Sequence, residues 1–321
     1  MRLEGGNKKV NTLNVNSGEL LAVMTRSGMV ESQHYGHLVV LNPDGSTLLD
    51  LGQSRAQMFP RSAIKSMQAV AMVRHGLNFD GRNLAIVCAS HGGTDEHQEV
   101  ALENLKSVGL DANALMNTPD KPIDESARKA WGDKTPTSLA ANCSGKHSGM
   151  LATCVINGWD LKTYKNADHP LQIAIKKELE ILAEEKIELT SIDGCGAPLF
   201  TMSTLGMARA ARTMRISGDP VHKRIVDACI ANPRMILAEG AFDTRMMKKV
   251  PGLFVKGGAE SVMVASLPDG HAITWKVLDG SKRVDGPIMV AALARCGITV
   301  SGEIVEVMGG SEVLGEIKAA F

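Results

Sequence analysis

The stretch Phe59-Pro60-Arg61-Ser62-Ala63-Ile64-Lys65-Ser66-Met67 places a serine and a lysine three residues apart. A serine hydroxyl is a poor nucleophile until a neighbouring base removes its proton. A lysine can be that base only where burial or a nearby cation lowers its pKa. At i and i+3 of a helix the two side chains project from nearly the same face, so Ser62 and Lys65 can reach each other. Ser and Lys fall at this spacing in many helices by chance, so the pair alone decides nothing.

Three further clusters bear on the pair. Ser90-His91-Gly92-Gly93 follows the apolar run 84–89 and by itself reads as a turn with a solvated histidine. Phe254-Val255-Lys256-Gly257-Gly258-Ala259-Glu260 sets a lysine before two glycines, which would let a ligand approach the backbone. Taken alone it is an ordinary Gly-rich turn with a surface lysine. The third cluster joins Asn142-Cys143-Ser144-Gly145-Lys146-His147-Ser148-Gly149 to Ile192-Asp193-Gly194-Cys195-Gly196-Ala197-Pro198, about fifty residues on. Thiols among glycines and polar residues are poor core material. One reading is a Cys nucleophile with His147 as base. The other is a metal gathered by Cys143, Cys195 and a third donor, with zinc the natural candidate for thiolates. Cys88, Cys154, Cys229 and Cys296 lie in apolar or helical contexts and read as core.

The elements around these clusters must bring them together. Pro60 favours a helix start and Gly76 a helix end, with Ile64, Met67 and Ala71 as the buried stripe. Before it, residues 20–24 and 37–41 read as strands, and Asn42-Pro43-Asp44-Gly45-Ser46 as a turn before a further strand at 47–49. The run 84–89 fits a buried strand or a helix segment. Asp95-x-x-Gln98 is a capping-box signature opening a helix to about residue 108. Residues 117–137 are polar, carry three prolines and read as a long surface loop bordering a site. Helices are expected near 145–158, 170–186, 204–215 and 220–231, the second with Leu171, Ile175, Leu179 and Leu182 on one face. The chain then returns to a hairpin, 261–267 and 272–278 around Pro268-Asp269-Gly270, followed by a helix over 285–296 and a last strand. Strands at both ends imply one sheet shared by the two termini. The expected fold is therefore α/β (α+β): an antiparallel sheet built from both chain ends, flanked by helices, with a mainly helical middle lobe. The 321 residues form one domain, with a sheet lobe of about 10–95 and 245–321 and a helical lobe of about 96–244. The Ser62 helix should lie at the junction, where clefts tend to occur.

Composition removes several function classes. Aromatic residues are 3% of the chain, too few for a base-stacking surface. Lys plus Arg and Asp plus Glu balance at 35 each, so no global charge invites nucleic acid or an anionic membrane. Met1-Arg2-Leu3-Glu4-Gly5-Gly6-Asn7 lacks the apolar core of a signal peptide, and no run approaches the roughly 20 apolar residues of a membrane span. Six scattered cysteines are too few for a disulfide scaffold of this size and read as reduced thiols, so a cytoplasmic protein is expected.

The Ser62/Lys65 spacing and the Lys-Gly-Gly segment are similar to the S-x-x-K and K-T-G signatures of serine β-lactamases and penicillin-binding proteins. Taken in order, R-S-A-I-K, C-A-S-H-G-G, N-C-S-G-K-H-S-G-M, D-G-C-G-A-P and K-G-G-A-E, which run from residue 61 to 260, resemble the rhizobial-type L-asparaginase II family. That resemblance implies a fold similar to serine β-lactamases and glutaminases, assembled as a homodimer. It implies two Ser–Lys pairs, Ser62 with Lys65 and Ser90 with Lys256. It implies a zinc ion held by Cys143, Lys146 as a neutral amine, and Cys195, with Asp193 beside it. Arg61, His91, Asp193 and His147 would contact the substrate. The implied activity is hydrolysis of L-asparagine to L-aspartate and ammonia through an acyl-enzyme on Ser62. Lys65 would be the base, with Ser90 and Lys256 shuttling protons or activating water. Ser90, in an equally exposed turn, competes for the nucleophile's place. Two other readings stand beside this one. A β-lactamase or D,D-peptidase-like acyl transferase would use the same residues, but the chain lacks an S-D-N motif. A non-catalytic metal or amino-acid binding protein would use only the thiols.

Overall fold

The computed structural model describes residues 17–321. The polar amino-terminal segment, with the opening Met1-Arg2-Leu3 and the first residues assigned to the sheet lobe, lies outside the described residues.

The chain opens with β1 (Glu19–Arg26), β2 (Met29–Leu41) and β3 (Thr47–Leu51). Six helices follow: α1 (Lys65–Arg74), α2 (Gly81–Ala85), α3 (Asp95–Lys106), α4 (Glu125–Trp131), α5 (Ser144–Asn157) and α6 (Pro170–Ala183). A short hairpin, β4 (Thr190–Ile192) and β5 (Pro198–Phe200), leads to α7 (Thr204–Ile216), α8 (Pro220–Ala231), α9 (Pro233–Ile236) and α10 (Phe242–Lys249). The end comprises β6 (Phe254–Gly257), β7 (Val262–Ser266), β8 (Ala272–Val277), α11 (Asp285–Arg295), β9 (Val305–Gly309) and β10 (Glu312–Ala319).

The two chain ends share one antiparallel sheet, in the order β6-β7-β8-β2-β1-β10-β9, with β3 also paired to β2. The join is made twice: Val39 of β2 lies opposite Thr274 of β8, and Ala22 of β1 opposite Ala319 of β10. Leu38, Val39, Val40 and Leu41 are all buried, as a strand covered on both faces requires. Helix α7 packs on β2, β7 and β8, while α11 packs on β1 and β10. The middle of the chain is mainly helical, and Leu171, Ile175, Leu179 and Leu182 of α6 all face the core. This is the antiparallel sheet from both chain ends, with a mainly helical middle, that the sequence led us to expect.

Four local details settle, refine or correct the sequence reading. Residues 84–88 are helical: α2 runs directly into a 3₁₀ turn over Ile86–Cys88. The capping box of α3 is Thr94 with His97, one residue ahead of Asp95-x-x-Gln98; the His97 N–H donates to the Thr94 hydroxyl, and the Thr94 N–H donates back to the His97 ring. The loop over 117–137 contains α4, whose N-cap Asp124 accepts from Ala127 N–H at 2.9 Å. The middle lobe is also not purely helical, because β4 and β5 form a two-stranded sheet. Its turn is closed by Asp193 N–H donating to Ala197 O at 2.9 Å, with Gly196 at φ +82. Among the described residues no helix is long and apolar enough to cross a membrane.

Candidate active site

Ser62 is delivered by a strained turn. After Pro60 the chain passes through Arg61 at φ +52, a left-handed conformation for a residue with a side chain, and enters the 3₁₀ turn Arg61–Ile64 that continues as α1. Such strain costs on the order of 1–3 kcal/mol and collects at functional sites. The Lys-Gly-Gly strand backs directly onto this turn. A Cβ at Gly258 would stand 2.7 Å from Pro60 O and 3.1 Å from Ala63 N, so only glycine allows the approach.

Behind Ser62 lie two buried lysines, 1% and 0% exposed for Lys65 and Lys256. Lys65 Nζ donates to Ala89 O (2.6 Å), Ser90 Oγ (3.1 Å) and Cys143 Sγ (3.2 Å), three acceptors for the three N–H groups of an ammonium. Lys256 Nζ reaches the same Ser90 Oγ at 3.3 Å and also Gly257 O, and stands 3.9 Å from Asp243 Oδ2. The separate pairs expected from the sequence therefore take another form. Both lysines converge on Ser90, and among the described residues the Ser62 hydroxyl has no hydrogen-bond partner. The sequence spacing would allow Lys65 to meet Ser62, but the fold gives its three N–H groups Ala89 O, Ser90 Oγ and Cys143 Sγ instead. Burial pushes the pKa of Lys256 down to about 8, with the neighbouring Lys65 and Lys282 acting in the same direction and Asp243 opposing. Ser90 has one proton to give and lone pairs to accept with. Between the two lysines it can accept from Lys65 and donate to a neutral Lys256, which makes a proton path.

On the other side of Lys65 stand the two thiols, packed with Ala197. Lys146 Nζ donates to Cys195 Sγ at 3.4 Å, and Cys195 Sγ lies 4.0 Å from Asp193 Oδ2. The Cys143 thiol is held up by its hydrogen bond to Cys195 and by burial. The same bond, against the effect of burial and with help from Lys146, holds the Cys195 thiol down. Burial pushes the Lys146 ammonium down, but the two sulfurs outweigh it and leave its pKa raised. No group of three or more His, Cys, Asp or Glu side chains is arranged for a metal among the described residues. A soft cation therefore fits only if Lys146 serves as the third donor. Two sulfurs and an amine gathered in one dry corner, with His147 Nε2 buried and unpartnered nearby, are compatible with that. Binding would replace the protons now held there.

Ser62 and Ser90 open into a cleft of about 320 Å³, whose walls also include Arg61, Cys143, Asp193, Cys195, Asp243 and Lys256. The loop from Asn117 to Ile123 forms part of its rim, as its polar, proline-rich sequence led us to expect. Arg61 Nε donates to Asp193 Oδ1 at 2.8 Å across the floor. Lys146 is buried behind the thiols and does not line the cleft. Two of the expected substrate contacts need correction, because His91 and His147 are fully buried and line no part of it. His91 pairs with Ser144 Oγ at 2.9 Å and accepts the Gly93 N–H at 3.1 Å; burial, then His97 and Lys65, push its pKa well down. It fastens the start of α5 to the Ser90 turn. His147 pairs with Tyr164 OH at 2.7 Å, and burial lowers its pKa to about 4. Glycine-rich neighbours mark a close-packed backbone as readily as an open loop. Asp243, which the sequence reading missed, lies in no motif, and its only local signal is an acid in the first turn of a helix.

Several solved structures share aspects of the fold. Mglu, in its native form in 4.3 M NaCl, is 10% identical, with 86% of this chain and 66% of that one covered and a TM-score of 0.48. The probable glutaminase ybaS is 15% identical over 82% of this chain and 86% of that one, at 0.43. EstCE1, a hydrolase with promiscuous acyltransferase activity, is 9% identical over 88% and 94%, at 0.40. The chain spans slightly under two thirds of the Mglu chains it matches, between 60% and 66% in five structures. These are likenesses of fold alone. No curated protein matches in sequence. The family pattern described as L-asparaginase II matches residues 22–315.

Proposed function

The chain belongs to the L-asparaginase II family, and from that premise we propose that it hydrolyses L-asparagine to L-aspartate and ammonia through an acyl-enzyme on Ser62. The observation that carries the reading is the convergence of two buried lysines on Ser90 Oγ, at 3.1 and 3.3 Å, in the cleft that Ser62 lines. Buried, mutually perturbed titratable groups in a cleft are the mark of acid–base work.

In this mechanism Ser90 gives its proton to a neutral Lys256 and is refilled from Lys65, and the Lys65 amine so formed takes the Ser62 proton as the Ser62 oxygen bonds to the side-chain amide carbon. The amide C–N bond then breaks as the leaving nitrogen takes a proton back from the same chain and departs as ammonia. Water repeats the sequence on the Ser62 ester and releases aspartate. The Ser62 N–H, at the start of its turn, would hold the developing oxyanion. Arg61 and Asp193 offer one cation and one anion side by side, which suits the α-carboxylate and α-ammonium of an amino acid. Zinc, when bound, would be held by Cys143, Lys146 and Cys195, and would supply a fixed positive charge beside Asp193 that shapes the cleft. The homodimer implied by the resemblance is part of the same proposal.

Ammonia release from asparagine, glutamine and a β-lactam, measured side by side, tests the reading, with asparagine expected to be the best substrate. Hydrolysis of the β-lactam alone would move the protein to the acyl-transferase class, and no turnover of any of them would leave a binding protein. The metal is tested separately. Purified protein is expected to hold about one zinc per chain, and Cys143→Ser with Cys195→Ser is expected to abolish it, because hydroxyl oxygens replace thiolates poorly. Substrate binding should weaken in that variant while some turnover survives. Undiminished zinc in the double variant would overturn the assignment.

A further inference from the structure

We propose that Asp243 is a positioning residue for Lys256, holding that lysine and its strand where the amine reaches Ser90. The inference rests on the reading of Ser90 and Lys256 as proton carriers and concerns a residue outside the motifs that mark the family.

Asp243 enters from α10, is 4% exposed, and sits between the cleft and a neighbouring cavity of about 330 Å³. One oxygen does two things. Oδ2 accepts the Gly257 N–H at 2.7 Å, which pins the residue after Lys256, and stands 3.9 Å from Lys256 Nζ itself. Gly257 leaves room for the contact, because a Cβ there would lie a tight 3.0 Å from Oδ1 and 3.4 Å from Oδ2. The helix that carries Asp243 is itself anchored. Thr244 Oγ1 donates to Pro233 O at 3.0 Å, while Arg245 and Lys249 grip Glu303 at 2.9 and 2.7 Å. A carboxylate on so firm a base fixes its partner's geometry.

The charges facing Lys256 give the proposal its readout. They are Lys65 from α1, Lys282 from the turn before α11, Cys143 from the start of α5, and Asp243. Asp243 is the carboxylate of the set, set against two cations. Removing its charge while keeping its shape takes away the largest effect that opposes the two cations, so the amine loses its proton at lower pH. A residue that merely supports the fold would not move that titration.

The experiment is the pH profile of kcat/KM, on whichever amide the wild-type protein hydrolyses, for Asp243→Asn, Asp243→Leu and Lys256→Met. Asp243→Asn keeps an acceptor for the Gly257 N–H, and its acid limb is expected to move down by about one pH unit with KM little changed. Asp243→Leu also loses the Gly257 bond, and its kcat is expected to fall by a further factor of about ten. An acid limb that stays put in active Asp243→Asn, while Lys256→Met abolishes it, would overturn the inference and spare the mechanism. A limb that persists in Lys256→Met would instead sink the role of Lys256 and, with it, this inference. If the leucine variant does not fold, the asparagine variant decides the matter alone. If that one also fails, Gly257→Ala, which crowds the carboxylate away, is expected to cut kcat, and an unchanged kcat overturns the proposal.

Discussion

Rapid quenching of the protein with asparagine or a slow analogue is expected to trap an acyl group on Ser62. Ser62→Ala is expected to remove both the adduct and turnover, by about 10⁶-fold as when a serine hydrolase loses its nucleophile. The competing nucleophiles differ in their surroundings. Ser90 is 9% exposed, and its oxygen already receives two lysines, so it is placed to pass protons and badly placed to attack. The Cys143 thiol has its pKa raised by its bond to Cys195 and by burial, which keeps it protonated and unreactive. Cys195 Sγ is already engaged by Lys146. Ser62 combines an oxygen without a hydrogen-bond partner among the described residues, a place on the cleft wall and a strained approach through Arg61. Intact-mass spectrometry followed by peptide mapping reads the result. An adduct on Ser90 that persists in Ser62→Ala would reverse the two serines. An adduct on Cys143 or Cys195 would make the protein a thiol hydrolase.

The parts of this site that were legible in the sequence share a physical cause. Ser62 and Lys65 are held by local geometry, and the two-ended sheet follows from apolar runs with turn residues between them, so spacing and periodicity report both. Family motifs brought the sulfur corner and Lys256 to attention, though not what their side chains would touch. The illegible parts depend on depth or on contacts made through the fold. His91 and His147 stand beside glycines in segments that look exposed, yet both are fully buried, because Gly145 and Gly149 let α5 press onto Ile86 and Val87. The strands β4 and β5 have three residues each, too few to show alternation, yet their turn carries Asp193 and Cys195 into the cleft. Lys65 turns toward Ser90 because Ala89 and Cys143 arrive from distant segments with further acceptors. Asp243 meets Gly257 only after α10 has docked, and no pattern around either residue announces the meeting.

The second large effect is expected at Lys256. Methionine there keeps much of the side chain's volume but cannot carry a proton, so Lys256→Met should lower kcat by about 10²–10⁴-fold, the range for a general acid–base group. The loss should not add to that of Lys65→Met, since the two lysines act through one serine and form one unit. The sign of the pH dependence follows from burial. A lysine pushed down to about 8 is neutral above that pH and charged below it, so it can take a proton only on the alkaline side. The wild-type kcat/KM should therefore rise as pH increases through about 8, and that limb should vanish in Lys256→Met. Another buried group gives the alternative a distinct signature. Asp285, which accepts from Ser261 at 2.5 Å and from Trp275 at 3.2 Å, has its carboxyl pushed up to about 6 by burial. It titrates two units lower than Lys256 and belongs to the support of the Lys-Gly-Gly segment, not to the proton path. A limb centred near 6 that survives in Lys256→Met and disappears in Asp285→Asn would transfer the pH dependence from catalysis to the integrity of that segment. A limb near 8 that is lost with Lys256 assigns it to the amine facing Ser90.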